Sequence, residues 1–520
     1  MNPKTVYTLL CHGTHHSESS GEFTLPDYLP DVRRVLRVTA DPHVTGKYMT
    51  GERLELEGEV RMTLLYLSEE SSVCAFSAVL PFSQSIAVPS LDETAIITAH
   101  LSCDTAACRL LGPRKCVLRT KPALYVRAAS RRDITPDTAS LSAEVKDTLC
   151  LRTHSYPAAD LVCVSRGDLR YADDLSVGTD GTVTAVLSCT VTPLIRECRA
   201  VSGGVICKGE FVLSALCSLQ ETGGNVCRAL TGRLPFSETL DDAALTDAFR
   251  CEPDLCITNV TPTVIEDGRA LGVDFSCELA VLCTADTEIP VITDAFSAKN
   301  DIRLTEEPCT VFRPLKTVIG AMSAAAALKF DPADPPKAVT DACITVRFDR
   351  TEKKDGRLQL DGTMECTLLC SCEDGSYQPL SATVPVHWDT DGSAMPDASS
   401  LLLHSDCSVS SYSTRIDTTA GTVFCDAELS VLLTAAAKEI RSLPRALTVP
   451  SDTPSYPVPS HPLMFCYPEE GECLWDIAKR YRIPPAVIAA TNGLDPNTEV
   501  CESKTPLVIA HHPVFAKKNA

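Results

Sequence analysis

Aromatic residues are scarce: Phe, Trp and Tyr make up 5% of the 520 positions, with 2 Trp. Any cores must therefore be mostly aliphatic. There is no unbroken apolar run of about 18 residues, so no membrane-spanning segment is expected. The opening MNPKTVYTLLCHGTHH lacks a basic stretch followed by an apolar one, so no signal peptide is expected and the chain should begin life in a cytoplasm. Basic residues do not dominate either. The formal net charge is −21, which repels phosphate backbones and argues against nucleic-acid binding. It argues equally against adsorption to an anionic membrane by charge alone. Catalytic signatures are missing as well: GxxxxGK(S/T), GxSxG and HExxH do not occur. The 11 His are scattered without a paired-carboxylate pattern, and no enzyme is expected.

Cysteine, in contrast, is abundant at 26. In a long chain without an export signal, a disulfide scaffold is not the first reading. Cys207, Cys217, Cys366 and Cys370 alternate in phase with aliphatic residues, where a reduced cysteine acts as a small hydrophobe. Cys370 and Cys372 form a CxC pair in such a segment, read as structural. Cys11, His12, His15 and His16 are metal-ligand types, but their spacing fits no zinc pattern. No metal or cofactor is expected.

The chain is organised around Leu54–Tyr66, LELEGEVRMTLLY. Leu54, Leu56, Val60, Met62, Leu64 and Tyr66 share one phase of a period of two with Gly58, as a half-buried strand requires. The pattern returns around Gly209, from Val205 to Cys217, and around Gly362, from Leu358 to Cys370. The three glycines stand 151 and 153 residues apart. A mid-strand glycine that recurs in phase implies a bulge or a close backbone approach. Each is followed by a second strand carrying a proline, Pro81, Pro235 or Pro385, after 23, 26 and 23 residues. Further strands follow near Cys103, Cys251 and Cys407, which stand 22, 16 and 22 residues beyond the prolines and read as matching landmarks. The expected fold class is mainly β: three tandem β-sandwich or open-barrel-like modules, followed by a small βααβ domain.

The expected boundaries are an N-terminal tail at 1–25, modules at 26–135, 160–290 and 300–440, a proline-rich linker at 443–463 and a terminal domain at 464–510. Pro26–Val38 reads as a short helix capped by Asp31. Lys316–Phe330 reads as a helix or a small-residue strand. In the terminal domain, Leu474, Trp475, Ile477, Ala478 and Tyr481 form a helical stripe. Pro484 and Pro485 open a second helix that Asn492 and Gly493 end.

This last stretch resembles a LysM domain, through Gly471-Glu472-Cys473-Leu474-Trp475-Asp476-Ile477-Ala478 together with Tyr481, Ile483 and Asn492. Cys473 stands where that family usually has Ser or Thr. The resemblance implies a binding surface for a partner or a glycan at the loops holding Gly471, Glu472, Cys473, Leu474, Asn492, Gly493, Leu494 and Asp495, with Trp475, Ile477, Tyr481 and Ile509 in the core. Gly58, Gly209 and Gly362, with Pro81, Pro235 and Pro385, are read as structural. The recurring glycine strand, its proline-bearing partner and the lead-in PDYLPDVRRVL resemble the sporulation-specific SPOCS domain of clostridia and related spore formers. SPOCS repeats followed by LysM is similar to the layout of a family of clostridial spore-coat morphogenetic proteins. That likeness implies a non-enzymatic scaffold in the mother-cell cytoplasm, at the outer surface of the forespore, with the coat ATPase and other coat proteins as partners. Peptidoglycan of the cortex or cell wall is the alternative ligand.

Overall fold

The computed structural model describes residues 5–178, 181–222, 224–450, 463–495 and 505–510. Seven strands come first: β1 (Thr5–His16), β2 (Ser19–Thr24), β3 (Val32–Thr50), β4 (Arg53–Ser68), β5 (Val73–Ala87), β6 (Ile96–Gly112) and β7 (Lys115–Asp133). A short helix, α1 (Ala143–Asp147), leads to β8 (Leu149–Ser176), β9 (Thr182–Val201), β10 (Gly204–Glu221), β11 (Gly224–Asp241), β12 (Arg250–Ile265) and β13 (Ala270–Ser297). Then come β14 (Arg303–Lys329), β15 (Pro336–Lys354), β16 (Arg357–Cys372), β17 (Tyr377–Asp391), β18 (Leu401–Asp417) and β19 (Thr422–Thr448). The chain closes with β20 (Leu463–Cys466), α2 (Leu474–Tyr481), α3 (Pro485–Asn492) and β21 (Leu507–Ala510).

The glycine strands are the centres of three antiparallel meanders, β3-β4-β5, β9-β10-β11 and β15-β16-β17. A Cβ on Gly58, Gly209 or Gly362 would lie 2.4, 2.1 or 2.0 Å from the carbonyl oxygen of His43, Leu194 or Arg347. In each case the preceding strand bulges beside the glycine, skipping Thr45, Arg196 or Asp349 in the pairing. The bulge pushes a carbonyl into the space a side chain would need, so glycine is the residue that fits. Pro81, Pro235 and Pro385 all stand opposite the residue that follows the glycine: Glu59, Glu210 and Thr363. They lie on the meanders' outer strands, where a missing N–H costs no ladder bond.

A second layer backs each meander. β13 pairs with β8 and β12 behind the middle meander. β7 with β1, β2 and β6, and β19 with β14 and β18, belong to one seven-stranded sheet, joined where β1 pairs with β14, so the first and third meanders share a backing sheet where separate modules were expected. Alternation along β4 sends Val60, Met62 and Leu64 onto Cys116 and Leu118 of β7. Phe211 and Leu213 of β10 meet Phe275 and Cys277 of β13, and Met364 and Cys366 of β16 meet Val423 and Cys425 of β19. These are face-to-face sheet sandwiches with largely aliphatic cores, as the low aromatic content requires.

Several expectations change. Residues 5–16, read as part of a polar tail, form β1, which buries Val6 and pairs along its length with β7. Its polar residues are mostly half-buried or exposed, Thr8 excepted, so composition alone hid the strand. Pro26–Val38 is not a helix: β3 begins at Val32, and Asp31 accepts a hydrogen bond from Arg114 Nη1 at 2.8 Å instead of capping. Val32, Val35 and Val38 suit a pleated, half-buried surface, and pairing with β4 decides the matter. Lys316–Phe330 lies largely in β14, the strand option, with its alanines paired to β19. Strands β8, β13 and β19 run past the expected spans at 160–290 and 300–440. Pro444 lies in β19, so the expected linker at 443–463 begins inside a strand; its stretch 451–462 lies outside the described residues. Cys251 does not match Cys103 and Cys407. It is the second residue of β12, whereas they are the eighth of β6 and the seventh of β18.

The three meanders meet. Leu65, Leu216 and Leu369, each seven residues beyond its glycine, join Leu36, Leu187 and Tyr377 in one apolar cluster. Next to it, Arg37 of β3 pairs with Asp341 of β15 at 2.6 Å. Arg127 of β7 pairs with Glu252 of β12 at 2.6 Å. Between β7, β6 and β18, His404 is stacked on Tyr125 at 3.9 Å and on His100 at 4.8 Å. Burial, with the charges of His100 and Arg127 nearby, holds His404 down to about 2. A histidine kept neutral this way favours the fold fully above its unfolded value near 6.5, and the benefit is lost as pH falls from there towards 2. At pH 5 the expected loss is about 2 kcal/mol. Urea titrations at pH 7 and pH 5 check this: the His404→Asn chain should show a smaller pH dependence than the unaltered one.

Candidate functional site

The terminal residues fold as β20-α2-α3-β21, with β20 and β21 antiparallel. Leu474, Ile477, Ala478, Ile488 and Ile509 fill the centre, as the helical stripe predicts. Cys473 caps α2: its thiol and its N–H both reach Asp476 Oδ2, at 2.7 and 3.3 Å. A thiol thus occupies the place where a hydroxyl usually caps, buried rather than offered to a ligand. Glu472 binds Arg480 and accepts from the Glu469 N–H at 3.0 Å. Gly471 and Gly493 hold positive φ, 84° and 66°, at the two loop turns.

Asn492, expected at a binding loop, is engaged internally. Its Nδ2 donates to the carbonyls of Ile488 and Val508 at 2.8 and 2.9 Å, and its Oδ1 accepts from the Val508 N–H at 2.7 Å. It fixes β21 to α3. Leu494 packs on the same core, while Gly471, Gly493 and Asp495 are exposed. Of the eight expected loop residues, those three present surface; Cys473, Leu474 and Asn492 are structural, and Glu472 is tied to Arg480.

Sequence reasoning did not find the contact that seats this unit. Trp475 Nε1 donates to Asp294 Oδ2 of β13 at 2.9 Å, and its ring meets Phe296 edge-on at 5.0 Å. Lys479 Nζ reaches the same carboxylate at 2.7 Å. Arg482 donates to the Ser297 carbonyl at 3.2 Å and pairs with Asp301. Burial works against the charge on Asp294, yet Lys479 and Trp475 hold its carboxyl below the usual range. The signal was present as Trp475, Lys479 and Arg482, spaced to share one face of α2 and its C-cap, but nothing in the sequence pointed to a partner some 180 residues upstream. Asp294→Ala is expected to free the unit from β13 without unfolding the β sheets. Hydrogen exchange should speed up across α2 while β4, β10 and β16 stay protected.

A cavity of about 850 Å³ is walled by strands of all three sandwiches, including Tyr125, Asp254, His404 and Arg347. Its charges are mixed, and among the described residues no group of His, Cys, Asp or Glu is placed to hold a metal ion. Among the described residues, no helix is long and apolar enough to cross a membrane.

Paired bulge, mid-strand glycine and outer-strand proline define a recurring β meander, and the first of these lies in a recognised domain. Residues 31–109, from β3 through most of β6, match the family model described as SipL, SPOCS domain. The chain carries a SPOCS domain of the SipL kind and is a sporulation-related protein. No curated protein and no solved structure matches it.

Proposed function

We propose that the chain is a non-enzymatic scaffold of spore-coat assembly, built from three SPOCS-like modules and a LysM-like terminal domain. In this reading the terminal domain docks the coat-basement ATPase, and the protein works in the mother cell at the outer surface of the forespore. The observation that carries the reading is the SPOCS match at 31–109, in a chain where the same bulge, glycine and proline arrangement returns around Gly209 and Gly362.

Three joined modules give a scaffold several attachment points at a fixed spacing, which raises effective concentration at a surface. The terminal unit supports a protein partner over a glycan in one respect. Leu463, Phe465 and Tyr467 stand 49, 64 and 66% exposed along and just beyond β20, an apolar group of the kind protein partners cover. The test uses the full chain twice. Immobilised, it is challenged with lysate of sporulating cells and the retained proteins are identified by mass spectrometry; separately, it is sedimented with purified peptidoglycan. Retention of the coat ATPase with little sedimentation is expected. Strong sedimentation without a retained protein would instead support peptidoglycan as the ligand.

A further inference from the structure

The middle sandwich holds four thiols that neither the packing argument nor the proposed scaffold role requires. Cys198 of β9 stands directly opposite Cys207 of β10, and Cys251 of β12 directly opposite Cys283 of β13. Cys207, Cys251 and Cys283 are buried, and Cys198 packs against them. The Sγ atoms of Cys251 and Cys283 are 4.0 Å apart. Cys198, paired with Cys207 on its own sheet, packs against the cluster that holds Cys251 and Cys283 of the other sheet. All four are free thiols. The cluster is particular to this sandwich: two residues before the mid-strand glycine, where β10 has Cys207, β4 has Leu56 and β16 has Leu360. The first and third sandwiches place a leucine there and have no such cluster of four.

We propose that Cys251 and Cys283 are a built oxidation site that closes to a cross-strand disulfide when the protein meets a peroxide. Directly opposed residues of an antiparallel pair have Cα atoms about 4.5–5.5 Å apart, inside the roughly 4.4–6.8 Å a disulfide spans, so side-chain rotation alone can close the bond. Cys251 is the attacking group. Hydrogen bonds from the Cys198 and Cys283 thiols and from the Ala200 backbone favour its thiolate, against the effect of burial. Its sulfur attacks one peroxide oxygen; the S–O bond forms, the O–O bond breaks, and the departing hydroxide takes up the proton that the Cys251 thiol gave up, leaving as the first water. Cys283 then attacks the sulfenic sulfur; the S–S bond forms, the S–O bond breaks, and the thiol proton departs with the oxygen as water. Two thiols and one hydrogen peroxide give one disulfide and two waters. The product ties the outer strand β12 to β13 beside the four-thiol contact.

The experiment treats the folded full chain with hydrogen peroxide, blocks the remaining thiols with iodoacetamide in denaturant, and maps cross-links by mass spectrometry. The expected result is a peptide pair joined through Cys251 and Cys283, with both lost to alkylation together and recovered by dithiothreitol. In Cys283→Ala, dimedone should label Cys251 as the trapped sulfenic acid. The unaltered chain carries the test by itself, whatever that variant does to folding. The proposal is overturned if Cys251 and Cys283 stay fully alkylatable while exposed Cys163 and Cys256 oxidise, or if Cys251 is found joined to Cys198 instead.

Discussion

Gly362→Val should prevent the third sandwich from forming its native core. A Cβ there would sit 2.0 Å from the Arg347 carbonyl oxygen and 2.8 Å from Phe348 Cα, both main-chain atoms that no rotamer change can move. Relief requires β15 to lose its bulge. A one-residue shift of pairing would send every side chain beyond it to the wrong face. Overpacking typically costs about 1–3 kcal/mol, occasionally more, and here the obstacle is main chain and valine adds two further methyl groups. Gly58→Val and Gly209→Val meet the same obstacle, with the rings of Phe82 and Phe236 pressed over the glycine as well. Gly112 is the control: a Cβ there meets nothing within 4 Å, so Gly112→Ala should change stability by about 0.5 kcal/mol or less. Denaturant titration with circular dichroism distinguishes the two outcomes.

Asp341→Ala should be the most damaging single change at the junction of the meanders. The Arg37 and Asp341 side chains are 10 and 7% exposed, and Arg37 Nη1 already lacks a partner among the described residues. Removing the carboxylate leaves a buried guanidinium uncompensated, at a cost of about 3–5 kcal/mol. Replacing both, as Arg37→Met with Asp341→Leu, should cost far less, because the expense of burying two charges disappears with them. If the single and double variants unfold at the same denaturant concentration, the pair is not what joins β3 to β15.

Much of the β architecture could be read from residue pattern. Alternation from Leu54 to Tyr66 places β4 and the face it buries, and the in-phase glycines announce the bulges of β3, β9 and β15. The βααβ order of the terminal unit follows from Trp475, Pro485, Asn492 and Gly493. The misreadings share a physical origin. Thr5–His16 and Val32–Val38 become strands because β7 and β4 offer them partners, and pairing across many residues leaves no local trace. Cys251 was aligned with Cys103 and Cys407 on spacing alone, whereas strand pairing puts it beside Cys283. At the terminal unit, Asn492 has a residue type that suits a binding loop, yet two of its three hydrogen bonds hold β21 and the third stays within α3. The seat of α2 on Asp294 and Phe296 depends on tertiary contact and was not legible at all.

The docking role of the terminal unit is tested most directly by comparing the full chain with a chain ending at residue 462, each immobilised against lysate of sporulating cells. The account predicts that the full chain retains the coat ATPase and the shortened chain does not, with both folded by circular dichroism. Equal retention by the two would contradict it, placing the docking surface on the β sandwiches instead.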